Sequence, residues 1–556
     1  MACVLFMGPP TAEASTSHLF SEDGQSLTVE FPNGYQPRYG FHPVRFTAVN
    51  AGPQTVVWDV NLSEQRMHDG TLNDLGHRER IIVPPERTVE REVLVAIGRN
   101  EENPSWGSLQ VRVTTPQGQN RQWGPSHYGN RRSRTGVNVS ALLTRQAADM
   151  LKNAPEESEN YHGRLNPTAA SRDWRGYAAF ALVVLTPEDW ETMAPSARTA
   201  LGDWTRMGGH LQFVGGMPAD APAPDVPGET ARGLGGVHPP PTTDNDNQPA
   251  FNNLPAISEA SKSDSPAIAA MKLGESQLHA WLGRINPDIL RDRFVIWPMV
   301  IVLIVFFIMI TPINLFVLAP SRRRHRLFRT IPAISLTACG LLALAVGLGD
   351  GVGGKGERLV WIESRPGAEN REFITQLQAS RSGALLGTRF TVPDAAYLAP
   401  LRPPGSRVTL RVEGNQLEAG GGWFTSRATQ AQFLQAARPG RGRIEWMASN
   451  PSSPQAVATF DFPLRDVFVH HTDGTWWHAP TMPQGETTTL RAMEEDEVLA
   501  KLESLFNTHP MAGIIETMAQ RPGHYIAFTD APSAIESLRS IRWRDTGLVT
   551  GVLATP

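Results

Sequence analysis

The pattern of apolar and polar positions changes character several times along this chain. From residue 24 to about 118, short runs such as SLTVEF, QTVVWDVNL and TVEREVLVAIG are separated by turns rich in Pro, Gly and Asn. Short alternating runs rich in Val, Thr and aromatics predict strands, and this many predict one β-sandwich, immunoglobulin-like in outline, over 24–118. From about 130 the pattern becomes mixed. VNVSALLTRQAADMLKNA has helical spacing, whereas Phe180 to Leu185 is a nearly pure apolar run suited to a strand buried on both faces. Thr186-Pro187, followed by Glu188 and Asp189, opens a helix that continues through Ser196 to Met207. Gly208-Gly209 ends it and HLQFV begins the next strand. This strand–helix–strand unit makes 130–290 an α/β lobe. Residues 217–255, rich in Pro, Ala, Gly and Asp, are expected to form a flexible loop within it, and AIAAMKLGESQLHAWLGRI is an amphipathic piece that follows.

Two uncharged apolar runs come next, Phe294 to Leu318 and Ile331 to Leu348. Roughly 20 apolar residues suffice for a helix to cross about 30 Å of hydrocarbon, so 294–318 and 331–349 are predicted to be a transmembrane hairpin. The connecting loop 319–330 carries Arg322, Arg323, Arg324, Arg326 and Arg329. Short arginine-rich loops stay in the cytoplasm, so these five residues are the topology determinants and both flanking regions are expected to lie outside it. Neither span contains Asp, Glu, Lys or Arg, which gives no sign of an ion path; Asn314 is the one strongly polar side chain of the first, and Pro298 and Pro312 are candidate kinks. Residues 357–556 read mainly as strand, with one acidic helix near 494–507. The order is that of a multidomain membrane protein: N-terminal β-sandwich, α/β lobe, two-helix hairpin and C-terminal β-rich lobe.

Composition sharpens this only in places. A net charge of −4 offers no basic field for nucleic acid. The only cysteines are Cys3 and Cys339, so neither soluble lobe holds a disulfide framework, a cysteine nucleophile or a cysteine zinc site. Ala12-Glu13-Ala14 suits a signal-peptidase site, and residues 1–14 are expected to be a short or truncated signal peptide.

Two stretches resemble a known family. TPINLFVLAPSRRRHRLFRTIPAISL is similar to the hairpin pattern GPxNYxxLRRxxRRxxxxxTxP of large bacterial inner-membrane proteins, departing at Thr311 and Leu315, where that pattern has Gly and Tyr. The stretch RGYAAFALVVLTPEDW, with LGDWTRMGGHLQFVGG after it, looks like the core of their extracytoplasmic domain, which has a class I glutamine amidotransferase-like fold. The resemblance covers residues 130–350. It implies location in the bacterial inner membrane with periplasmic lobes, and partners such as AAA ATPase, von Willebrand A-type or transporter components. Active amidotransferases carry a cysteine on a G-x-C-x-G elbow. Here the corresponding strand runs into Gly215-Gly216-Met217-Pro218, and no G-x-S-x-G elbow replaces it. The resemblance therefore implies the fold without its chemistry.

Other candidate chemistry is weak. Asp244-Asn245-Asp246-Asn247 begins like a calcium loop, but Pro249 and Pro255 occupy the places that need Gly and an acid. His470, His471, Asp473 and His478 could suit a metal, yet neighbouring strand residues face opposite ways and Asp473-Gly474 signals a hairpin turn. Glu494 to Glu497 fit a helix N-terminus better than a hydrolytic pair. Trp174, Tyr177, Trp190 and Trp204 either line a ligand crevice or pack the lobe. No catalytic residue, cofactor or metal is expected. The reading is a non-enzymatic inner-membrane protein whose partners are the lipid bilayer and other envelope proteins. The alternative is a membrane-anchored hydrolase of carbohydrate or peptide using Asp, Glu or His residues that the sequence does not single out.

Overall fold

The computed structural model describes residues 16–22, 24–33, 40–68, 71–97, 107–115, 117–123, 140–154, 162–225, 230–241, 249–262, 296–366, 370–393, 395–400, 408–413, 416–447, 453–506 and 521–554. The protein is multidomain and mostly β-sheet, with two helices long and apolar enough to cross a membrane. Residues 1–14, the DNDN stretch and the amphipathic piece 267–285 lie outside the described residues.

Strands β1 (Thr16–Glu22), β2 (Gln25–Glu30), β3 (Gly40–Asn50), β4 (Val56–His68), β5 (Thr71–Val83), β6 (Arg87–Ile97), β7 (Gly107–Thr114) and β8 (Asn120–Trp123) build the first domain. They form two antiparallel sheets, ordered β1-β2-β3-β6 and β5-β4-β7-β8. Period two sets the core: Val44, Phe46 and Ala48 of β3 meet Trp58, Val60 and Leu62 of β4, while Val57 of β4 and its cross-strand partner Ile82 face outward. The sandwich extends beyond the expected 24–118 at both ends, because β1 and β8 each add an outer strand.

The second domain contains β9 (Ala141–Leu143), α1 (Arg145–Asp149), β10 (His162–Arg164), β11 (Leu182–Leu185), α2 (Pro187–Thr192), α3 (Pro195–Arg206), β12 (His210–Phe213), β13 (Ala231–Arg232), β14 (Gly235–His238) and α4 (Pro255–Lys262). Its sheet runs β10-β9-β11-β12-β14-β13, parallel except for the β13–β14 pair. In chain order the first four positions read 2-1-3-4, the pattern of a doubly wound sheet. Thr186 caps α2 through a capping box: the Asp189 N–H donates to Thr186 Oγ1 at 3.1 Å and the Thr186 N–H donates to Asp189 Oδ2 at 3.0 Å.

Two expectations are corrected here. The stretch predicted as one helix near 137–154 instead contains β9 and then the short α1, because Ala141, Leu142 and Leu143 are buried on both faces of the sheet. The expected flexible loop 217–255 contains β13 and β14, the latter parallel to β12. Its glycines serve close packing: a Cβ on Gly235 would stand 2.0 Å from the Gly209 carbonyl oxygen.

The hairpin comprises α5 (Ile296–Ile308), a wider π-type continuation over Met309–Leu318 that contains Pro312, a tight turn at Ser321–Arg326 and α6 (Leu327–Asp350). Proline supplies no N–H, which suits a local break in the regular ladder. α6 starts before the expected Ile331, so Arg329 sits in its first turn. Only 6% of each apolar segment is buried against the rest of the chain, and Phe316 and Leu336 are 79% and 77% exposed.

Beyond the hairpin lies a nine-stranded sheet. From one edge it runs Ala396–Pro400, Thr429–Pro439, β16 (Arg371–Ser382), β15 (Gly354–Arg365), Ile541–Val552, His524–Thr529, Leu464–His470, Trp476–Met482 and Arg491–Met493. The acidic helix α7 (Glu495–Phe506) lays Val498 and Leu502 on Trp361, Phe468 and Ile526. β16 and Thr429–Pro439 carry buried glutamines in place of an apolar run. Gln376 Nε2 donates to the Ile535 carbonyl at 2.9 Å while its Oε1 accepts from the Ile535 N–H at 2.8 Å. Gln378 Nε2 donates to Gln432 Oε1 at 3.0 Å, and Gln432 Nε2 to the Trp423 carbonyl at 2.8 Å. A buried amide with every bond made is tolerated, and here it fixes the 532–538 segment over the sheet.

The three domains outside the hairpin meet at one point. Phe41 of the sandwich and Trp174 of the α/β lobe both pack on Tyr397 of the C-terminal lobe, with ring centroids 5.5 and 6.3 Å away. The Arg175 guanidinium lies over the Phe41 ring and donates to the Ala396 carbonyl at 3.2 Å. One apolar cluster runs without interruption from the α/β lobe into the C-terminal sheet. Replacing Gln376 by Leu would leave the buried Ile535 amide groups unpaired, a loss of about 1–3 kcal/mol. A Val57→Ser substitution on the outer sandwich face should stay within about 0.5 kcal/mol. Thermal unfolding of the detergent-solubilised full chain should show a clear downward shift for the first and none for the second.

Candidate functional site

In a doubly wound sheet the ligand crevice opens where the strand order reverses, here at the carboxyl ends of β9 and β11. Thr144 follows β9, and Thr186 follows β11. Both are turned onto Asp189: the Thr144 hydroxyl donates to Asp189 Oδ2, and the Thr186 hydroxyl lies 2.8 Å from the same oxygen and 3.0 Å from Gln146 Oε1. All three residues of this triad are buried. After β12 the chain turns through Gly215 (φ 80°) and Gly216 (φ 147°), conformations that favour glycine. A Cβ on Gly215 would stand 2.7 Å from the Met150 methyl group. The crevice position is thus occupied by the protein's own threonines, carboxylate and methionine. The turn Gly215–Pro218 carries neither thiol nor hydroxyl, so it offers no nucleophile.

The four candidate aromatics are packing residues. Trp174, Tyr177, Trp190 and Trp204 are all nearly or wholly buried. Tyr177 donates to the Ser171 carbonyl at 2.8 Å, and burial pushes its phenol well above the ordinary value. Trp190 Nε1 donates to Asp220 at 2.9 Å while its ring stands edge-on to Phe213. Trp204 lies under Gly209, where a Cβ would come within 2.0 Å of the indole. The sequence singles them out by size, and their burial in the structure is that of core residues.

Of the four residues around the predicted turn, His471 and Asp473 come together, while His470 and His478 find other partners. His470 stacks on Trp476 at 4.2 Å, His471 pairs with Asp473 at 3.1 Å, and His478 lies 3.6 Å from Asp466 and 3.1 Å from Lys501. The hairpin turn at Asp473-Gly474 is present, with Gly474 at φ 86°. Glu494 to Glu497 are exposed at the start of α7. Among the described residues no group of three His, Cys, Asp or Glu side chains is placed to hold a metal. Of the loop arginines, Arg323, Arg324, Arg326 and Arg329 are exposed; the Arg322 backbone belongs to the turn Ser321–Arg326. Asn314 is wholly buried within the hairpin, and neither atom of its amide has a partner among the described residues.

Two polar clusters were not legible in the sequence. In the α/β lobe, His210 Nδ1 and His238 Nε2 stand 3.1 Å apart on neighbouring strands. Burial lowers His210 to about 3 and His238 to about 4. At the boundary with the C-terminal lobe, Asp225 meets Arg206 at 3.0 Å, Arg365 at 2.7 Å and Arg521 at 2.9 Å, and accepts from the Gly233 N–H at 2.8 Å. Glu363 joins through Arg206 at 3.3 Å and through Arg365. Burial pushes the Asp225 carboxyl up, but the Arg365 and Arg206 guanidinium groups outweigh it and hold the acid well below its usual range.

No protein-family model and no curated protein matches the chain. Among solved structures it is similar in part to a calcium-binding mutant of Bacteroides uniformis β-glucuronidase 2, at 13% identity over 35% of this chain and 24% of that one, TM-score 0.14. It is also similar to chicken MD-1 complexed with lipid IVa, at 12% identity over 20% and 95% of the two chains, TM-score 0.11. A third is the Danio rerio Fcho1 Mu homology domain with a bound Eps15 peptide, at 8% identity over 36% and 96%, TM-score 0.20. The chain thus spans about a quarter of the glucuronidase's length, and likenesses this slight carry no argument about function.

The histidine pair sets a pH dependence whose sign is fixed. Between pH 6.5 and about 4 the unfolded chain binds protons that folded His210 and His238 do not, so stability falls as pH drops through that window. The slope is up to ~1.4 kcal/mol per pH unit for each histidine. His42, wholly buried and lowered to about 3 by burial, adds with the same sign. Asp225 has a depressed pKa, so its contribution is complete above 3.8 and lost only in stronger acid. The melting temperature should therefore decline between pH 7 and 5, and His210→Gln should flatten that decline; an equally steep profile in the variant would contradict the assignment. Asp225→Ala removes the carboxylate shared by three guanidinium groups, two of which keep Glu363, and should cost about 3 kcal/mol at pH 7.

Proposed function

We propose that this chain is a non-enzymatic integral protein of the bacterial inner membrane, anchored by its central hairpin and presenting binding or scaffolding lobes to the periplasm within an envelope assembly. The observation that carries the reading is the hairpin. Its helix α6 has 24 residues, which at about 1.5 Å each reach about 36 Å, enough for a hydrocarbon core of about 30 Å. The exposed Phe316 and Leu336 make a surface suited to lipid. The arginines at its tip supply the charge bias that keeps a short loop in the cytoplasm. The amidotransferase-like reading of the α/β lobe draws support from its 2-1-3-4 strand order. Its non-catalytic character draws support from the crevice position being filled by Thr144, Thr186 and Asp189 and from the glycine-rich turn lacking a nucleophile. Recognition would then fall to the outer surfaces of the lobes, with other envelope proteins as partners.

Reporter fusions test the orientation. A fusion after Arg326 should report a cytoplasmic location and one at the C-terminus a periplasmic location; the reverse pattern would refute it. Extraction from membranes should require detergent and resist high salt and alkaline carbonate. Purification in mild detergent should retain stoichiometric envelope partners, and a chain recovered alone at every expression level would argue against scaffolding.

A further inference from the structure

We propose that a cleft at the tip of the hairpin holds one acidic phospholipid of the cytoplasmic leaflet, its phosphate on Arg324 and its upper acyl chain on Phe328 and Ile331. This rests on the reading of the hairpin as membrane-spanning and names the lipid that its loop would take. Where the tight turn Ser321–Arg326 meets the start of α6, the chain leaves a cleft of about 560 Å³, within the size range of small-molecule sites. Its lining is divided by chemistry. Arg324 and His325 come from the turn, and Leu327, Phe328, Ile331 and Pro332 from α6. Phe328 and Ile331 are three residues apart and so share a helix face. Phe328 is 87% exposed and Ile331 40% exposed, which leaves their outer surfaces uncovered by the chain. A guanidinium is costly in hydrocarbon, so the turn sits at headgroup level with the uncharged run from Ile331 below it. The cleft then opens at the depth where a phospholipid passes from phosphate to acyl chain.

The charge of this region cannot be balanced from within the hairpin. No Asp or Glu occurs from residue 293 to residue 349; the nearest acids in sequence are Asp292 and Asp350, each beyond the far end of an apolar segment. α6 holds Asp350 a helix length of about 36 Å from Leu327. Arg323, Arg324, Arg326 and Arg329 are exposed, and among the described residues none of them has a carboxylate partner. Like charges this close repel one another, and an anion set among them relieves the repulsion. A phosphate diester offers two oxygens to the planar fork of a guanidinium. A zwitterionic phospholipid carries the same phosphate but brings an ammonium group into the arginine cluster, so net lipid charge is what discriminates. A soluble phosphate would satisfy Arg324 and leave Phe328 and Ile331 uncovered. An acidic phospholipid answers both halves of the lining.

The full-length protein can be placed in phosphatidylcholine nanodiscs in a Cys3→Ser, Cys339→Ser background, with a fluorophore on Ser321→Cys, beside the cleft but outside its lining. Phosphatidylglycerol or phosphatidylcholine, spin-labelled at the same upper acyl carbon, is added as quencher. Phosphatidylglycerol should reach half-quenching at a several-fold lower mole fraction than phosphatidylcholine. Arg324→Gln should raise that mole fraction about fivefold. Arg326→Gln, the same charge change outside the cleft, should raise it far less, and four arginines remain in either variant to hold the orientation. Equal shifts in the two variants overturn the cleft and reduce the effect to diffuse charge. Equal quenching by the two lipids overturns selection of acidic lipid. Relief of quenching by millimolar glycerol phosphate overturns the lipid as occupant in favour of a soluble anion. A second label on Leu336→Cys reads the hairpin separately: quenched, it leaves the hairpin standing whatever the cleft does, and unquenched, it overturns the membrane hairpin and the cleft with it.

Discussion

The assembly of the domains before and after the hairpin depends on the buried ion cluster at Asp225. Arg206 and Asp225 come from the α/β lobe before the hairpin, whereas Glu363, Arg365 and Arg521 come from the lobe after it. Taking five such charges from water is costly, and the arrangement is tolerable only because each carboxylate meets more than one guanidinium at short range. Such a cluster forms only when both lobes are in place, so it couples their positions more strictly than apolar contact does. It also closes the chain across the whole hairpin, and loop closure over so long a segment adds little entropic cost beyond that of a shorter one.

The apolar contacts repeat that logic. Tyr397 receives Phe41 from the sandwich and Trp174 from the α/β lobe, and Gln435 donates from the C-terminal sheet to the Met207 carbonyl at 3.3 Å. Arg45 of the sandwich donates to the Ala169 carbonyl at 3.0 Å. The three domains outside the hairpin are therefore joined by direct contacts with one another. At the strand-order reversal of the parallel sheet, the space beside β9 and β11 is taken by side chains that pack on one another. Thr144, Thr186 and Asp189 hydrogen-bond to one another there.

Much of the fold was legible because it depends on local periodicity. The alternation around Trp58 and Phe46, the capping of α2 by Thr186 and the turn at Asp473-Gly474 are each specified by a few adjacent residues. What escaped had polar residues doing apolar work. β16 and Thr429–Pro439 show no hydrophobic run, because Gln376, Gln378 and Gln432 are buried by pairing with one another and with the Ile535 and Trp423 backbone. β14 was hidden in a glycine- and proline-rich stretch whose glycines permit close approach of chains distant in sequence. The aromatics of the α/β lobe were visible as residues, but whether they line a crevice or fill a core is a question of neighbours.

The sequence by itself determined the two apolar segments, their arginine-rich connection, the missing nucleophile at Gly215–Pro218 and the division into β, α/β and β-rich regions, because hydrophobic length, local charge and short-range pattern need no distant partner. Only the tertiary structure decided that Asp225 meets Arg365 and Arg521, that His210 faces His238, and that Lys355 stands between Arg381 and Arg542. Those relations join residues tens to hundreds of positions apart, and charge, titration and surface chemistry act through space rather than along the chain.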